Sequence, residues 1–397
     1  MPGKIISFIV YNLNSRQVLS SILKCSFFIF IACIVFNCKK PFNPVPLTAR
    51  TNYLVVDGVI NTGANGVTAI NLSRARSLSD STYNVLPESN AVIIIESSTG
   101  AAYQLHEATP PAYISDPLNL DISQTYRLHI TTSNGEQYLS DLVAVKQSPP
   151  IDSITWQQDD GVHIYANTHD ATNSTTYYRW DFTETWQHNA RYETTYGVSN
   201  GLIFNRDSTN SIYKCWSNNN STSVILGNSV ALSRDVISKQ PITTIPADNE
   251  KIAIRYSILV RQYALTPDAY KYWGIIQNNT LAIGTLFDVQ PSQLHGNIAS
   301  VSDKSEPVLG FISAGSVQEK RIFINYADLV NWTVPPSQQN CDIVKIPQNP
   351  LDFRIYNYPD TSFSPYYFIT PGIIAITKNI CLDCRYQGGS NVKPSFW

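Results

Sequence analysis

The sequence predicts a mainly β protein: an N-terminal sandwich of the immunoglobulin or fibronectin-III type, then a larger β-rich second domain with one short helix. Segments in which apolar and polar residues alternate, such as residues 125–132 (TYRLHITT), indicate half-buried strands. Tyr (23) and Trp (7) are frequent while charged residues make up only 15%, a composition typical of exported β proteins. Clear helix signals occur at one place.

The first domain is assigned to residues 52–148. The run LDISQTY, which ends at Tyr126, is similar to the tyrosine corner of fibronectin-III-like sandwiches, where the Tyr hydroxyl bonds nearby backbone. The alternative is that Tyr126 is an ordinary core aromatic. Ser148-Pro149-Pro150 interrupts the pattern and marks the boundary. Strands are expected at residues 53–60, 68–72, 91–96, 102–106, 125–132 and 137–145.

The second domain is assigned to residues 149–397. The helix is expected to begin after Thr266 as N-cap, with Pro267 at its first position, and to run to about residue 278. Residues 188–249 are rich in Asn, Ser and Thr and are expected to be a long polar connection of the kind that often carries binding surfaces. The clearest alternation is YRWDFTETW, which places Tyr178, Trp180, Phe182, Glu184 and Trp186 on one face and Arg179, Asp181, Thr183 and Thr185 on the other.

Residues 26–46 (SFFIFIACIVFNCKKPFNPVP) have the pattern of a lipoprotein signal. Their apolar stretch follows basic residues and is too short for a membrane-spanning helix, which needs about 20 residues. We therefore predict a signal peptide over residues 1–37, Cys38 as the lipid-bearing first residue of the mature chain (with palmitate-type acylation), and a Pro-containing tether over residues 38–51. The alternatives are cleavage before Cys33, an uncleaved anchor and an ordinary signal peptide.

Four of the seven cysteines lie beyond this signal: Cys215, Cys341, Cys381 and Cys384. An even number in an exported chain favours disulfides over free thiols. Three pairings are possible and the sequence does not choose among them. Cys381 and Cys384 either form a disulfide with each other, or each forms one with Cys215 or Cys341. A redox or zinc CxxC is the alternative, but no second CxxC or nearby His completes a ligand set.

The charge and the motifs exclude several functions. Without Lys4, Arg16 and Lys24 of the signal, 25 basic residues stand against 30 acidic ones, a net charge of −5. A nucleic-acid partner is not expected, because it needs a basic face. The six histidines are scattered, and HExxH, GxSxG and phosphate-loop motifs do not occur. A glycosidase uses two carboxylates, but Asp181 and Glu184 fall on opposite faces. We expect no catalytic residue, metal or cofactor.

Two segments are candidates for a ligand site. On the aromatic face of residues 178–186, Trp180 and Trp186 flank Glu184 in a pattern that suits a carbohydrate or a peptide. The alternative is that this face is core, with Glu184 near its rim. The second candidate combines Tyr263, Tyr270 and Trp273 with the loop over residues 284–297.

Several stretches together resemble one family. They are CKKPFNP, YLVVDGVIN, YYRWDFTETW, the Cys215-Trp216 pair, YSILVRQYALTPDAYKYW, GTLFDVQPSQLHGNI, PVLGFISAGSVQEKRIFI and CLDCRYQGGSNVKPSFW. Over these stretches the chain is similar to the exported-lipoprotein family catalogued as domain-of-unknown-function family 4249. The resemblance implies an outer-membrane lipoprotein, commonly thought to work beside a TonB-dependent transporter, and implies no activity. Lys39 and Lys40 stand where surface-exported lipoproteins usually carry acids, so cell-surface and periplasm-facing display both stay open.

We therefore expect a non-catalytic, lipid-anchored accessory protein of the outer membrane that binds a ligand or docks on a TonB-dependent transporter during uptake. One alternative is a structural or adhesive surface protein, for which no concave aromatic-lined pocket is expected. The other is an envelope enzyme acting on glycan or peptide. Two or more carboxylates about 5–10 Å apart in a cleft would favour the enzyme.

Overall fold

The computed structural model of the protein describes residues 52–76, 85–281, 296–334, 340–351, 354–355 and 361–397. The predicted signal peptide, the tether with Cys38, and most of the loop over residues 284–297 lie outside these residues. Within them, no helix has the length and apolarity needed to cross a membrane. The prediction of a mainly β chain with one short helix is confirmed.

The strands of the described residues are numbered in chain order. They are β1 (Leu54–Asn61), β2 (Ala69–Arg74), β3 (Leu86–Pro87), β4 (Val92–Ser97), β5 (Ala102–Glu107), β6 (Ala112–Ile114), β7 (Thr125–Thr131), β8 (Gln137–Ser140), β9 (Val143–Lys146), β10 (Ile151–Gln158), β11 (Gly161–His169), β12 (Tyr177–Asn189), β13 (Tyr196–Ser199), β14 (Leu202–Asn205), β15 (Lys214–Asn220), β16 (Ile225–Asn228), β17 (Val236–Pro246), β18 (Arg255–Leu265), β19 (Ile298–Ser300), β20 (Ser313–Gly315), β21 (Val317–Asn325), β22 (Val344–Pro347), β23 (Phe363–Thr370) and β24 (Ile373–Lys378). The α-helices are α1 (Pro267–Leu281) and the single turn α2 (Asn379–Leu382), and short 3-10 turns occur at Ser208–Asn210, Glu250–Ile252, Tyr326–Asp328 and Cys384–Gln387.

Helix α1 begins where the sequence predicts. Pro267 is its first residue, and the hydroxyl of Thr266 accepts a hydrogen bond from the backbone N–H of Ala269 at 3.2 Å. Asp268 lies in the first turn, where a carboxylate is favoured by the helix dipole.

The first body is a barrel-like sheet. Hydrogen bonds join β7, β4, β5, β6, β2, β1, β20 and β9 in that order, and β9 pairs again with β7, which closes a ring of eight strands. Strands β8 and β19 extend the sheet beside β7, and β3 pairs with β2. Closure of a sheet on itself pairs strands that would otherwise be free edges.

Strand β7 shows how the sequence builds the barrel interior. Tyr126, Leu128 and Ile130 are at most 1% exposed, and the residues between them are only partly buried. The Tyr126 hydroxyl donates a hydrogen bond to the carbonyl oxygen of Asp121 at 2.9 Å, as the predicted tyrosine corner requires. Burial raises the pKa of this hydroxyl. The bond therefore holds the chain that enters β7.

Two strands of the barrel come from residues that the sequence assigned to the second domain. Strand β20 runs parallel to β1 and to β9 and lies between them, while β19 pairs with β8. Gly315 permits this approach, because a Cβ there would collide with the carbonyl oxygen of Lys146. The barrel that residues 54–146 begin is thus completed by residues 298–315.

The second body is a sandwich of two sheets. One has the order β10-β11-β17, and the other has the order β15-β12-β18-β21, with β16 also paired to β12. Their facing sides share one core, which includes Ile164 of β11, Trp180 of β12 and Ile258 of β18. Strands β12 and β18 form the centre of the larger sheet and pair antiparallel from Tyr177 with Leu265 to Gln187 with Arg255.

The prediction of one long polar connection over residues 188–249 is wrong. These residues contain β13, β14, β15, β16 and the long strand β17. In β17 the buried side chains are Ile237, Ile242 and Ile245, with unequal spacing, because its pairing with β11 shifts register twice. Such bulges break the period of two on which a sequence prediction of strands depends.

The C-terminal residues form a smaller module. Strands β22, β24 and β23 make a sheet that shares a small core with the hairpin β13–β14. Disulfides join Cys215 to Cys384 and Cys341 to Cys381. Cys381 and Cys384 therefore each reach back rather than closing on each other, and all four thiols are consumed, which leaves none for the redox or zinc alternative.

His188 lies beside the first of these disulfides, near the end of β12. Its Nε2 lies 2.9 Å from the hydroxyl oxygen of Ser217, and its Nδ1 lies 3.2 Å from Oε1 of Gln387. Gly389 packs so closely on His188 and Cys215 that a Cβ there would collide with both. Burial lowers the pKa of His188 below its ordinary value, so the folded chain favours the neutral ring.

We predict that the His188 ring makes stability depend on pH. Because its folded pKa lies below the unfolded value of about 6.5, its contribution is complete above that value and is lost as pH falls through the folded pKa. Chemical unfolding from about pH 7.5 to about pH 5.5 should show a steeper loss of stability for the wild type than for His188→Gln. The control is His106→Gln, because the His106 side chain is 63% exposed. Equal slopes for wild type and His188→Gln would contradict the prediction.

Candidate functional site

The outer face of β12 carries the candidate site. Tyr178, Trp180, Phe182 and Glu184 are buried, and the residues between them are partly exposed, so the two predicted faces are confirmed from Tyr178 to Glu184; beyond it Thr185 is buried as well. The side chains of Arg179, Asp181 and Thr183 therefore leave the core of the sandwich and line a cleft.

This cleft lies between the barrel and the larger sheet of the sandwich and has a volume of about 620 Å³. The barrel wall includes Asp57, Val59 and Asn61 of β1. The opposite wall is formed by the outer residues of β12, β18 and β21. The loop over residues 220–224 and Trp273 of α1 complete the lining.

Gln262 anchors the linker between the two bodies. Its side chain is fully buried, and its Nε2 donates hydrogen bonds to the carbonyl oxygen of Pro149 at 2.7 Å and to the hydroxyl of Thr168 at 3.1 Å. Its Oε1 accepts a hydrogen bond from the indole N–H of Trp180 at 2.9 Å. The position of the barrel wall relative to β12 is therefore held by a satisfied buried network.

Arg179 contacts two aromatic rings in this cleft. Its guanidinium carbon lies 4.5 Å from the ring centroid of Tyr263 and 4.2 Å from that of Trp273. Both distances are within cation–π range. The side chain is only 13% exposed, and its nearest charged partner is Asp181, at 3.7 Å.

Arg261, in contrast, donates its hydrogen bonds to other residues of the protein. Its Nη1 bonds Asp181 at 3.1 Å, its Nε bonds Glu319 at 3.0 Å, and it also donates to the hydroxyl of Thr183. Burial favours a lower pKa for Arg261, but the bonds to these carboxylates raise the pKa overall. Burial, and then the charge of Asp181, raises the pKa of the Tyr263 hydroxyl. This wall therefore holds a fixed array of charges and a protonated phenol.

The first predicted site lies mostly in the core. Trp180 is 1% exposed and belongs to the sandwich core, and Trp186 packs against that core. Glu184 is 4% exposed. It pairs with Lys251 and accepts a hydrogen bond from the Tyr256 hydroxyl at 3.0 Å. Burial raises the pKa of that hydroxyl. This placement agrees with the core alternative for the aromatic face.

The second predicted site is partly brought together. Tyr263 and Trp273 meet at Arg179, whereas Tyr270 packs against Tyr177 in a tilted arrangement with ring centroids 4.7 Å apart. The loop over residues 284–297 lies largely outside the described residues. Sequence reasoning missed Arg179 as a site residue, although the period-two alternation had already placed it on the outer face of β12.

The acidic groups show no arrangement for metal binding. Among the described residues, no group of three or more His, Cys, Asp or Glu side chains is placed to hold a metal ion. Asp181 lies in the cleft and Glu184 in the core, so they do not form a carboxylate pair.

The sequence pattern described as Domain of unknown function (DUF4249) matches residues 39–321, more than half of the chain. The chain belongs to this family. The match spans every residue of the cleft from Asp57 to Glu319, so the cleft lies in the part of the chain that defines the DUF4249 family. Three of the four disulfide cysteines, Cys341, Cys381 and Cys384, lie beyond it.

Other comparisons add little. No protein with a curated function matches the sequence. Among solved structures, the adhesin InvE of Yersinia pseudotuberculosis is similar at 8% identity and a TM-score of 0.15, with 82% of this chain and 73% of that chain covered. A likeness at this score supports no conclusion about fold or function.

We predict that Glu184 stabilises the sandwich and does not bind ligand. Glu184→Ala leaves Lys251 without its carboxylate and removes the acceptor of Tyr256. Breaking a buried pair in this way is expected to lower the free energy of unfolding by about 3–5 kcal/mol. Urea unfolding measures the loss, with exposed Glu250→Ala as the control, which should resemble the wild type. A Glu184→Ala variant as stable as the wild type would refute the structural role.

Proposed function

We propose that this DUF4249 protein is a non-catalytic, lipid-anchored binding protein of the outer membrane, which holds a small polar ligand in the cleft between its barrel and its sandwich. The observation that carries the proposal is the cleft itself. Its volume of about 620 Å³ lies within the range of about 300–1,000 Å³ that is usual for small-molecule sites, which often occur between two bodies of a chain.

The chemistry of the lining supports binding of a polar molecule. Aromatic rings stand at one end, next to a guanidinium, and the loop over residues 220–223 adds amide and hydroxyl groups. The hydroxyl-bearing residues Thr222 and Ser223 are exposed at the rim. Sites for small ligands combine apolar surface with a few placed polar groups in this way.

The same lining favours binding over glycoside hydrolysis. Of its carboxylates, Asp181 and Glu319 are both bonded to the guanidinium of Arg261. A hydrolase needs one carboxylic acid that can deliver its proton and a second carboxylate that can assist water or the sugar. The two carboxylates bonded to Arg261 do not meet that need, and among the described lining residues this leaves a single further carboxylate, that of Asp57 on the barrel wall.

A ligand screen tests the cleft. Thermal shifts with a panel of neutral sugars, sugar acids, amino acids and short peptides should identify at least one compound that stabilises the wild type. Ser223→Trp places an indole in the cleft from an exposed position and should abolish the shift. Ser133→Trp, at an exposed turn of the barrel, is the control and should keep it. A shift that survives in Ser223→Trp would place binding elsewhere and contradict the proposal.

The anchor and the transporter form the second part of the proposal, and they rest on the predicted acylation of Cys38 and on the family resemblance. Affinity purification of tagged protein from detergent-solubilised outer membranes should recover a TonB-dependent barrel in stoichiometric amount. Cys38→Ser should lose the lipid and leave the membrane fraction, whereas Cys33→Ser should retain both. Recovery of acylated protein without any barrel would contradict the transporter role.

A further inference from the structure

Arg179 differs from Arg261, the other cationic group of the described cleft lining, because its guanidinium donates no hydrogen bond to a described residue. Its Nε is buried without a hydrogen-bond partner. Within the described part of the chain, its guanidinium makes one ion pair, at 3.7 Å to Asp181, which is beyond hydrogen-bond distance. An arginine carries five N–H donors in a planar fork. Buried donors without partners are rare in folded proteins and call for an explanation.

The two rings explain how this arginine is held but not what it binds. The guanidinium carbon lies over the ring of Tyr263 and over that of Trp273, and these two cation–π contacts restrict where the guanidinium can move. Stacking leaves the edge of the fork free, and the edge carries the donors. A guanidinium fixed in this way has little rotational freedom left to lose when an acceptor arrives in its plane.

Arg261 shows that this wall of the cleft offers hydrogen-bond acceptors to an arginine. Arg261 is bonded to Asp181, Glu319 and Thr183 on the same wall. If both arginines were purely structural, similar bonding would be expected for both. Of these two arginines, only Arg179 is stacked on rings and donates no hydrogen bond to a described residue; outside the cleft, Arg255 is stacked in the same way with an unpartnered Nε.

The surrounding charge decides which anion fits. Among the described residues, the cleft is lined by the carboxylates of Asp57, Asp181 and Glu319 and by two arginines. A dianionic phosphate next to these carboxylates meets strong repulsion, whereas a carboxylate carries a single charge and matches the planar fork in a bidentate arrangement.

We propose that Arg179 binds the carboxylate of a small polar ligand, with the carboxylate in the plane of the guanidinium between Tyr263 and Trp273. Neutral polar groups of the same ligand would then reach the loop at Asn220, Thr222 and Ser223. The inference rests on the proposed binding function and names its ligand class. The carboxylate belongs to a sugar acid or to the end of an amino acid or short peptide, and these sources share the chemistry that Arg179 recognises.

Isothermal titration with matched pairs of compounds tests this inference on the full mature chain. The pairs are galacturonate with galactose, glucuronate with glucose, and the dipeptide Gly-Tyr with its C-terminal amide. At least one acid should bind about tenfold or more tightly than its neutral partner. The pair that shows the difference identifies the source of the carboxylate. Glucose 6-phosphate is included, and tighter binding of this phosphate than of every acid would overturn the choice of a carboxylate.

Two variants locate the effect. Arg179→Lys keeps the charge but removes the planar fork, and it should lose about tenfold or more of the affinity for the acid. Arg321→Lys is the matched control, because Arg321 also stacks on a ring, that of Phe396 at 3.6 Å, but lies outside the cleft. It should bind as the wild type does. If Arg179→Lys fails to fold, the acid and neutral pairs on the wild type still decide the question.

The outcomes separate this inference from the proposed function. Equal binding of acid and neutral partners, abolished by Ser223→Trp but unchanged in Arg179→Lys, would overturn the role of Arg179 and leave the cleft as a binding site. No binding of any acid at about 10 mM, a concentration at which even millimolar affinities are visible, would overturn the carboxylate inference. Binding of panel compounds that Ser223→Trp leaves intact would overturn the proposed function as well.

Discussion

Strand β12 packs against a hydrophobic core on one side and lines a charged cleft on the other, and the arrangement of the two bodies depends on both of these contacts. Successive side chains of a strand point to opposite faces. Trp180 and Phe182 are thus buried in the sandwich while Arg179 and Asp181 face outward. Because β12 pairs along its length with β18, its register also places Tyr263 beside Arg179.

The cleft exists because the barrel is built from two distant parts of the chain. Residues 298–315 return to the barrel as β19 and β20, and β21 then begins at once in the sandwich. The chain therefore passes between the bodies after Lys146, between α1 and β19, and again at Ser316, and the backbone N–H of Ser148 bonds the hydroxyl of Ser316 at 2.9 Å, which ties the first passage to the last. Two crossings tied together, with Gln262 buried against the linker, keep the two walls of the cleft at a defined separation.

The outer face of the larger sheet is divided between the cleft and the end of the chain. Away from the cleft, Trp397 packs on Phe323 of β21 and on Trp216 of β15, and Arg255 lies over the rings of Phe323 and Trp397. The Cys215–Cys384 bond holds this segment near β15. Stacking of arginine on aromatic rings therefore occurs on both parts of this face: Arg179 in the cleft and Arg255 beside Trp397 each have a buried Nε without a hydrogen-bond partner.

The sequence by itself determined the local features: the alternation of β7 and β12, the tyrosine corner at Tyr126, and the start of α1 at Pro267. These depend on side-chain direction and on contacts between near neighbours, which sequence patterns record. Strand β17 was missed because two register shifts disturb its period. Only the tertiary structure decided the disulfide pairing, the closure of the barrel by β20, and the meeting of Asp57 with Arg179 across one cleft. Each of these joins residues far apart in the chain, and no local pattern encodes which distant partner a residue will meet.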